Sequence, residues 1–330
     1  MKTEPKVLVT GGTGFTGSHL VKRLLEEGYD VYFTARDKNK AKHLEDLGAK
    51  RILCDIRDRE GVMKAVEGKD FVFHIAAAFQ DYTMKDKDYY QINVTGTKNL
   101  LDAALYHGVK RFVHCSTVGV LGDVKEVPAD ENTPANPGDV YQETKYEGER
   151  TALEYYEEHK LPVVVIRPAG IYGPGDMRFL KLIKMVKNKR FVMFGKGDNL
   201  YHLTYIDDLI ESFVLCATKE GVEGEVFIIA GERPITMKEF VEEISRTLDV
   251  PYPWKRVPVS PVLLLSIFCE KVCRLVNVSP PLFPRRLDPF RKNRAFSIDK
   301  AKRVLGYKPA TDLRTGLKNT IQWYEKNNYL

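Results

Sequence analysis

No run of this chain is long and apolar enough to cross a bilayer: the nearest candidate, 262–276, is short and interrupted by Glu270, Lys271 and Arg274. The five cysteines, Cys54, Cys115, Cys216, Cys269 and Cys273, are scattered without zinc-ligand spacing. Reduced core thiols are therefore expected, and no metal. No internal repeat and no low-complexity segment occurs. The first strand-like run, 6–10, starts so close to Met1 that no secretory or transit leader fits before it, and the expected compartment is the cytoplasm. The net charge of +6 is not concentrated, because lysines alternate with Asp and Glu as on ordinary solvated helices, and no nucleic-acid partner is expected. One segment departs from this. In 285–294, Arg285, Arg286, Arg291, Lys292 and Arg294 face the single acid Asp288, which suits either an anionic ligand or membrane surface, or a plain solvated loop.

What is present is a strict alternation. Short Val-, Ile- and Phe-rich runs at 6–10, 30–34, 51–54, 71–75, 111–116 and 163–167 are separated by amphipathic stretches. Parallel strands need crossover segments, so the pattern predicts an α/β fold, a doubly wound parallel sheet with helices on both faces. After Pro168 the rhythm breaks at Gly173-Pro174-Gly175 and prolines punctuate the later chain, which predicts a smaller C-terminal substrate lobe. The expected division is a dinucleotide-binding domain at 1–168 and a substrate lobe at 169–330, with roughly 203–230 returning to the first domain. The 262–276 run is read as a helix, either a lid packed on the substrate lobe or a peripheral membrane contact.

Thr10-Gly11-Gly12-Thr13-Gly14-Phe15-Thr16-Gly17 follows the first strand and opens a periodic helix through Leu20, Val21, Leu24 and Leu25. In that context bare backbone amides and a helix N-terminus hold a pyrophosphate. The second strand ends at Arg36, where an NAD site usually places an acid for the ribose 2′ hydroxyl. A guanidinium suits a 2′-phosphate, so NADP(H) is preferred, with NAD(H) possible through the adjacent Asp37.

Tyr141 and Lys145 stand one helical turn apart, a spacing shared by Tyr106 and Lys110 and by Tyr156 and Lys160. Context separates them: only Tyr141 starts its helix after a Pro-rich loop, downstream of a strand ending His114-Cys115-Ser116-Thr117. A hydroxyl, a phenol and a neighbouring ammonium together hold an oxygen atom, pass it a proton and bring the phenol's pKa toward working range.

These motifs, with Cys54-Asp55-Ile56, His74-Ile75-Ala76-Ala77-Ala78, Asn93-Val94-Thr95-Gly96, Arg167-Pro168 and Tyr205-Ile206-Asp207-Asp208, run nearly end to end and resemble the extended short-chain dehydrogenase/reductase family. The resemblance implies a Rossmann-type fold, Tyr141 as acid/base, Lys145 also holding the nicotinamide ribose, and Thr117 orienting the substrate oxygen. It implies Asp55 and Ile56 at the adenine, Ala76 and Ala77 along the dinucleotide, and Pro168 beside it. The glycine loop contributes Gly11, Thr13, Gly14, Phe15, Thr16 and Gly17. Phe79, Tyr82, Tyr172 and His202 fall where members contact substrate, although His202 equally suits a hydrogen-bonded structural role and His74 is read as structural.

Dehydratases of the family follow the Thr with Asp-Glu, whereas Val118-Gly119 stand here. Nucleotide-sugar members place an Asn after the sixth strand and an Arg before the Asp-Asp pair; Gly170 and Tyr201 occupy those places. The stretches 167–176 and 195–205 look most like the 3β-hydroxysteroid and sterol dehydrogenases, with dihydroflavonol reductases similar around Arg36. The expectation is an NADP(H)-preferring oxidoreductase interconverting a secondary alcohol and a carbonyl on a fairly apolar steroid-, isoprenoid- or flavonoid-like small molecule. Two alternatives stay open: a nucleotide-sugar 4-epimerase with tightly bound NAD, and a non-catalytic cofactor-sensing protein. A homodimer is expected by analogy with the family.

Overall fold

A computed structural model describes residues 4–79, 84–275, 278, 281 and 284–330. Six strands, β1 (Lys6–Thr10), β2 (Asp30–Ala35), β3 (Lys50–Leu53), β4 (Phe71–His74), β5 (Arg111–Cys115) and β6 (Val163–Pro168), are joined by a later strand, Val226–Ile229. They form one seven-stranded sheet in the order Val226–Ile229, β6, β5, β4, β1, β2, β3. Every pairing in it is parallel.

Alternation along β1 divides the core. Val7 and Val9 face one cluster with Leu20, Leu24 and Phe213, while Leu8 faces the other with Val62, Leu100 and Ala152. The first face is covered by α1 (Phe15–Glu26) and by the helix Ile206–Thr218. After α2 (Lys38–Glu45), the opposite face is covered by α3 (Arg59–Val66) and, beyond a short α4 (Asp86–Tyr90), by α5 (Gly96–Tyr106) and α6 (Val140–His159). The chain moves outward from β1 to β3, then crosses back to β4 on the other side of β1. Such a reversal opens a crevice at the carboxyl ends of the strands, the place where α/β sheets bind ligands.

Beyond β6 the elements are small. Gly170–Tyr172 pairs with Leu203–Tyr205, Leu200–Tyr201 with Ile235–Thr236, and Met193–Phe194 with Arg256–Val257. The helices Met237–Thr247 and Leu313–Lys326 pack together beside them. Residues 262–275 of the 262–276 run lie within a helix, Val259–Leu275, that packs against the turn Pro284–Phe290 but leaves Leu264, Leu265, Ile267, Phe268 and Val272 exposed. Its apolar side is thus not a covered core face. No helix of the described residues is long and apolar enough to cross a membrane.

Candidate active site

A cleft of about 920 Å³ opens at the carboxyl ends of β1, β4, β5 and β6. One wall is the glycine loop. Gly11 has φ 70°, and a Cβ there would come within 2.9 Å of the Ala76 backbone, so only glycine lets the loop lie against β4's extension. At Gly17 a Cβ would run into the Gly11 carbonyl. The N-cap of α1 is Gly14, which offers no side-chain cap, and its first amides are left for an anion. Thr13, Phe15 and Thr16 complete this wall.

Arg36, exposed at the end of β2, lines the same cleft and makes no hydrogen bond or ion pair among the described residues. Asp37 is turned away to cap α2, its carboxylate accepting the Asn39 amide at 2.8 Å. Asp55 and Ile56 line the cleft nearby, with Asp55 held below the usual carboxylate range by its paired bonds to Arg57 at 2.7 and 3.0 Å. A set of uncapped amides beside a guanidinium that no side chain hydrogen-bonds among the described residues fits a dinucleotide bearing several phosphate groups.

The floor is fixed by a buried chain of hydrogen bonds. Thr10 Oγ1 accepts the amides of Ile75 and Ala76 at 3.1 and 3.2 Å and donates to His74 Nδ1 at 2.9 Å. His74 Nε2 then donates to Thr97 Oγ1 at 2.9 Å, because Thr97 spends its own proton on the Asn93 carbonyl at 2.7 Å. His74 is accordingly neutral, and burial lowers its pKa to about 3. Asn93 binds both Ala78 and, at 3.0 Å, Thr144 on α6, so the Ala76-Ala77 segment and α6 are set relative to one another.

The far wall brings Thr117, Tyr141, Lys145 and Pro168 together. Asp139 caps α6 by accepting the Gln142 amide at 3.0 Å, which puts Tyr141 in the first turn. Lys145, buried, donates to the Cys115 carbonyl at 2.6 Å, and burial lowers its pKa. Thr117 Oγ1 accepts the Gly119 amide at 3.0 Å, leaving its proton free to be donated into the cleft. Below them Arg167 forks onto Glu149 at 2.5 and 3.0 Å, and Ser116 donates to the same carboxylate at 2.5 Å, clamping α6 to β6. The other Tyr and Lys pairs are elsewhere: Tyr106 is exposed, and Lys160 lies over the Tyr156 ring at 5.6 Å.

At the substrate end the expectations divide. Phe79 lines the cleft and meets Tyr141 edge to face at 5.0 Å. His202 borders it, but its two ring nitrogens are engaged by the Gly231 carbonyl at 2.9 Å and the Phe296 amide at 3.3 Å. Tyr172 is a correction: it is buried against Tyr205 and the Gly316 backbone and does not line the cleft. Tyr82 lies outside the described residues, as do the side chains of Arg285 and Arg286. Sequence reading missed Asp176 and Arg178, paired at 2.7 Å, and it took Arg294 only as part of a basic run, although all three line the cleft.

Residues 7–230 match the family described as NAD dependent epimerase/dehydratase. The 3beta-hydroxysteroid-dehydrogenase/decarboxylase isoform 1 of Arabidopsis thaliana is 31% identical, over 97% of this chain and 80% of that protein. The 2-alkyl-3-oxoalkanoate reductase of Stenotrophomonas maltophilia is 30% identical, over 95% and 97%. Among solved structures, the UDP-glucose 4-epimerase of Thermotoga maritima superposes with a TM-score of 0.80 at 26% identity, covering 98% of this chain and 99% of that one.

Proposed function

Since the chain belongs to the NAD-dependent epimerase/dehydratase family and is an NAD(P)-dependent oxidoreductase of the extended short-chain type, we propose that it prefers NADP(H) and interconverts a secondary alcohol and a carbonyl on a fairly apolar substrate. The observation that carries this reading is the meeting of Thr117, Tyr141 and Lys145 on one cleft with the glycine loop and Arg36. Gly11 to Gly17 and Arg36 hold the phosphates, Asp55 and Ile56 flank the adenine, and Ala76, Ala77 and Pro168 line the dinucleotide. When bound, that dinucleotide contributes hydride exchange at its nicotinamide ring.

The chain's residues handle the oxygen. Thr117 donates to it, and Tyr141 gives it a proton during reduction or takes one during oxidation. The Lys145 ammonium stabilises the phenolate left behind. Arg36, without a hydrogen-bonded carboxylate among the described residues, and Asp37, spent on a helix cap, favour the 2′-phosphate of NADP(H). The named relatives act on a hydroxysteroid and on an alkyl oxoalkanoate, which supports an apolar substrate body. The nucleotide-sugar alternative is disfavoured because Tyr201 fills the space over Gly170, where a Cβ would come within 2.9 Å of the phenol oxygen.

As partner surface we propose a peripheral lipid contact through 262–276. Leu264, Leu265 and Phe268 are exposed on this helix with Lys271, and Trp254, Lys255 and Arg256 are exposed shortly before it in the chain.

Calorimetric titration of the purified protein with NADPH, NADH and UDP-glucose tests the reading. NADPH binding at least about tenfold tighter than NADH, without UDP-glucose binding, is expected from one extra charge-assisted contact. Copurified NAD⁺ together with UDP-glucose binding would instead make it an epimerase.

A further inference from the structure

The substrate end of the cleft contains two carboxylates and two guanidiniums whose charges do not cancel evenly. Asp176 is taken by Arg178, which bonds it at 2.7 and 3.1 Å and also donates to the Ile171 carbonyl. Asp288 is shared by Arg291 at 3.7 Å and Lys292 at 3.5 Å. Arg294 lines the same end and has no hydrogen bond or ion pair to its side chain among the described residues. It is half-buried, in a wall where an unpaired guanidinium loses hydration without gaining a partner.

Its backbone is held firmly. The Arg294 amide donates to the Leu200 carbonyl at 2.8 Å, the Leu200 amide donates to Asn293 Oδ1 at 2.9 Å, and Tyr201 and Arg294 form a β-bridge. Both bridge partners line the cleft, so a phenol and a guanidinium stand side by side on a fixed backbone. Enclosure raises the Tyr201 pKa against the pull of Arg178 and Arg294, and the hydroxyl stays protonated and able to donate.

We propose that Arg294 and the Tyr201 hydroxyl bind a carboxylate on the substrate, which is then an apolar hydroxy or oxo acid and not a neutral alcohol or ketone. The inference rests on reading the cleft as an oxidoreductase site. A planar carboxylate matches a single guanidinium fork. A diphosphate fits less well, because Arg178 is already spent and Asp176 and Asp288 border the same end.

The test is oxidation of 3-hydroxydodecanoate and of its methyl ester with NADP⁺, alongside calorimetric binding of both to the NADPH-loaded protein. The wild-type chain is expected to prefer the acid in kcat/KM. Arg294→Leu should lower acid turnover about tenfold or more, the loss of one charge-assisted contact, and move ester turnover less than twofold. Arg294→Lys should recover part of the acid preference, and Tyr201→Phe should lose a smaller part, with melting temperatures confirming that each variant folds.

Equal handling of acid and ester, or equal losses in Arg294→Leu, overturns the carboxylate role and leaves the oxidoreductase reading standing. Acid binding that depends on Arg294 without any turnover supports the anion site and sinks alcohol oxidation for this class. Absence of both binding and turnover overturns the proposal, as does Arg294-dependent binding of UDP or pyrophosphate tighter than that of the acid.

Discussion

Tyr141 and Thr117 act on one oxygen atom, and they are made available by different means. Thr117 is freed because its acceptor lone pair is occupied by the Gly119 amide, while Tyr141 is positioned by the Asp139 cap one turn above Lys145. General acid–base catalysis contributes about 10²–10⁴-fold, so Tyr141→Phe is expected to lower kcat by that order while the NADPH dissociation constant changes little. Turnover that survives the substitution would remove the assignment. Glu149 makes a different kind of prediction. It carries the charge that balances buried Arg167, and Glu149→Gln leaves that guanidinium uncompensated, at a cost of about 3–5 kcal/mol in a urea titration. Arg294 shows where single-residue reading stops: its membership of a basic run was visible, but its separation from Arg291 and Lys292 depends on which carboxylates the fold brings near.

Strand elements were legible because β1 to β6 each centre on a short apolar segment between turn residues, and each lies within two residues of its expected span. The short pairs beyond β6 were not. A two-residue strand such as Leu200–Tyr201 has no period to detect and exists only because Ile235–Thr236 and Arg294 pair with it. Tyr172 was misplaced for a related reason, since the side on which a three-residue strand buries its aromatic ring is decided by neighbours distant in the chain. The helix Val259–Leu275 was foreseen as a helix, yet its period could not say whether water, lipid or protein meets Leu264 and Phe268. If lipid does, the chain should co-float with vesicles containing anionic lipid, and Leu264→Ser with Phe268→Ser should weaken this severalfold, each burying less apolar area. Flotation unaffected by the double substitution would mean that the face serves another purpose.

Across the whole molecule, the buried histidines tie stability to pH. The folded pKa of His74 is about 3, against an ordinary 6.5, and burial likewise depresses that of neighbouring His114. Between those values the unfolded chain binds more protons than the folded one, so stability rises with pH and is lost as pH falls below about 6.5. At pH 5.5 His74 alone costs about 1 kcal/mol, His114 adds to it in the same direction, and the melting temperature should drop accordingly. His74→Gln should flatten the dependence between pH 6.5 and 5.5; an unchanged slope would refute the assignment. The overall parallel sheet followed from the strand and helix alternation, because crossovers leave few topologies open. Its last member, however, carries a consequence for how the protein is made. The Val226–Ile229 strand covers the flank of β6, and it leaves the ribosome some sixty residues after β6 does. Until then the emerging chain presents Val163–Pro168 as a naked apolar border able to pair with any passing strand, a period in which chaperone protection would matter most.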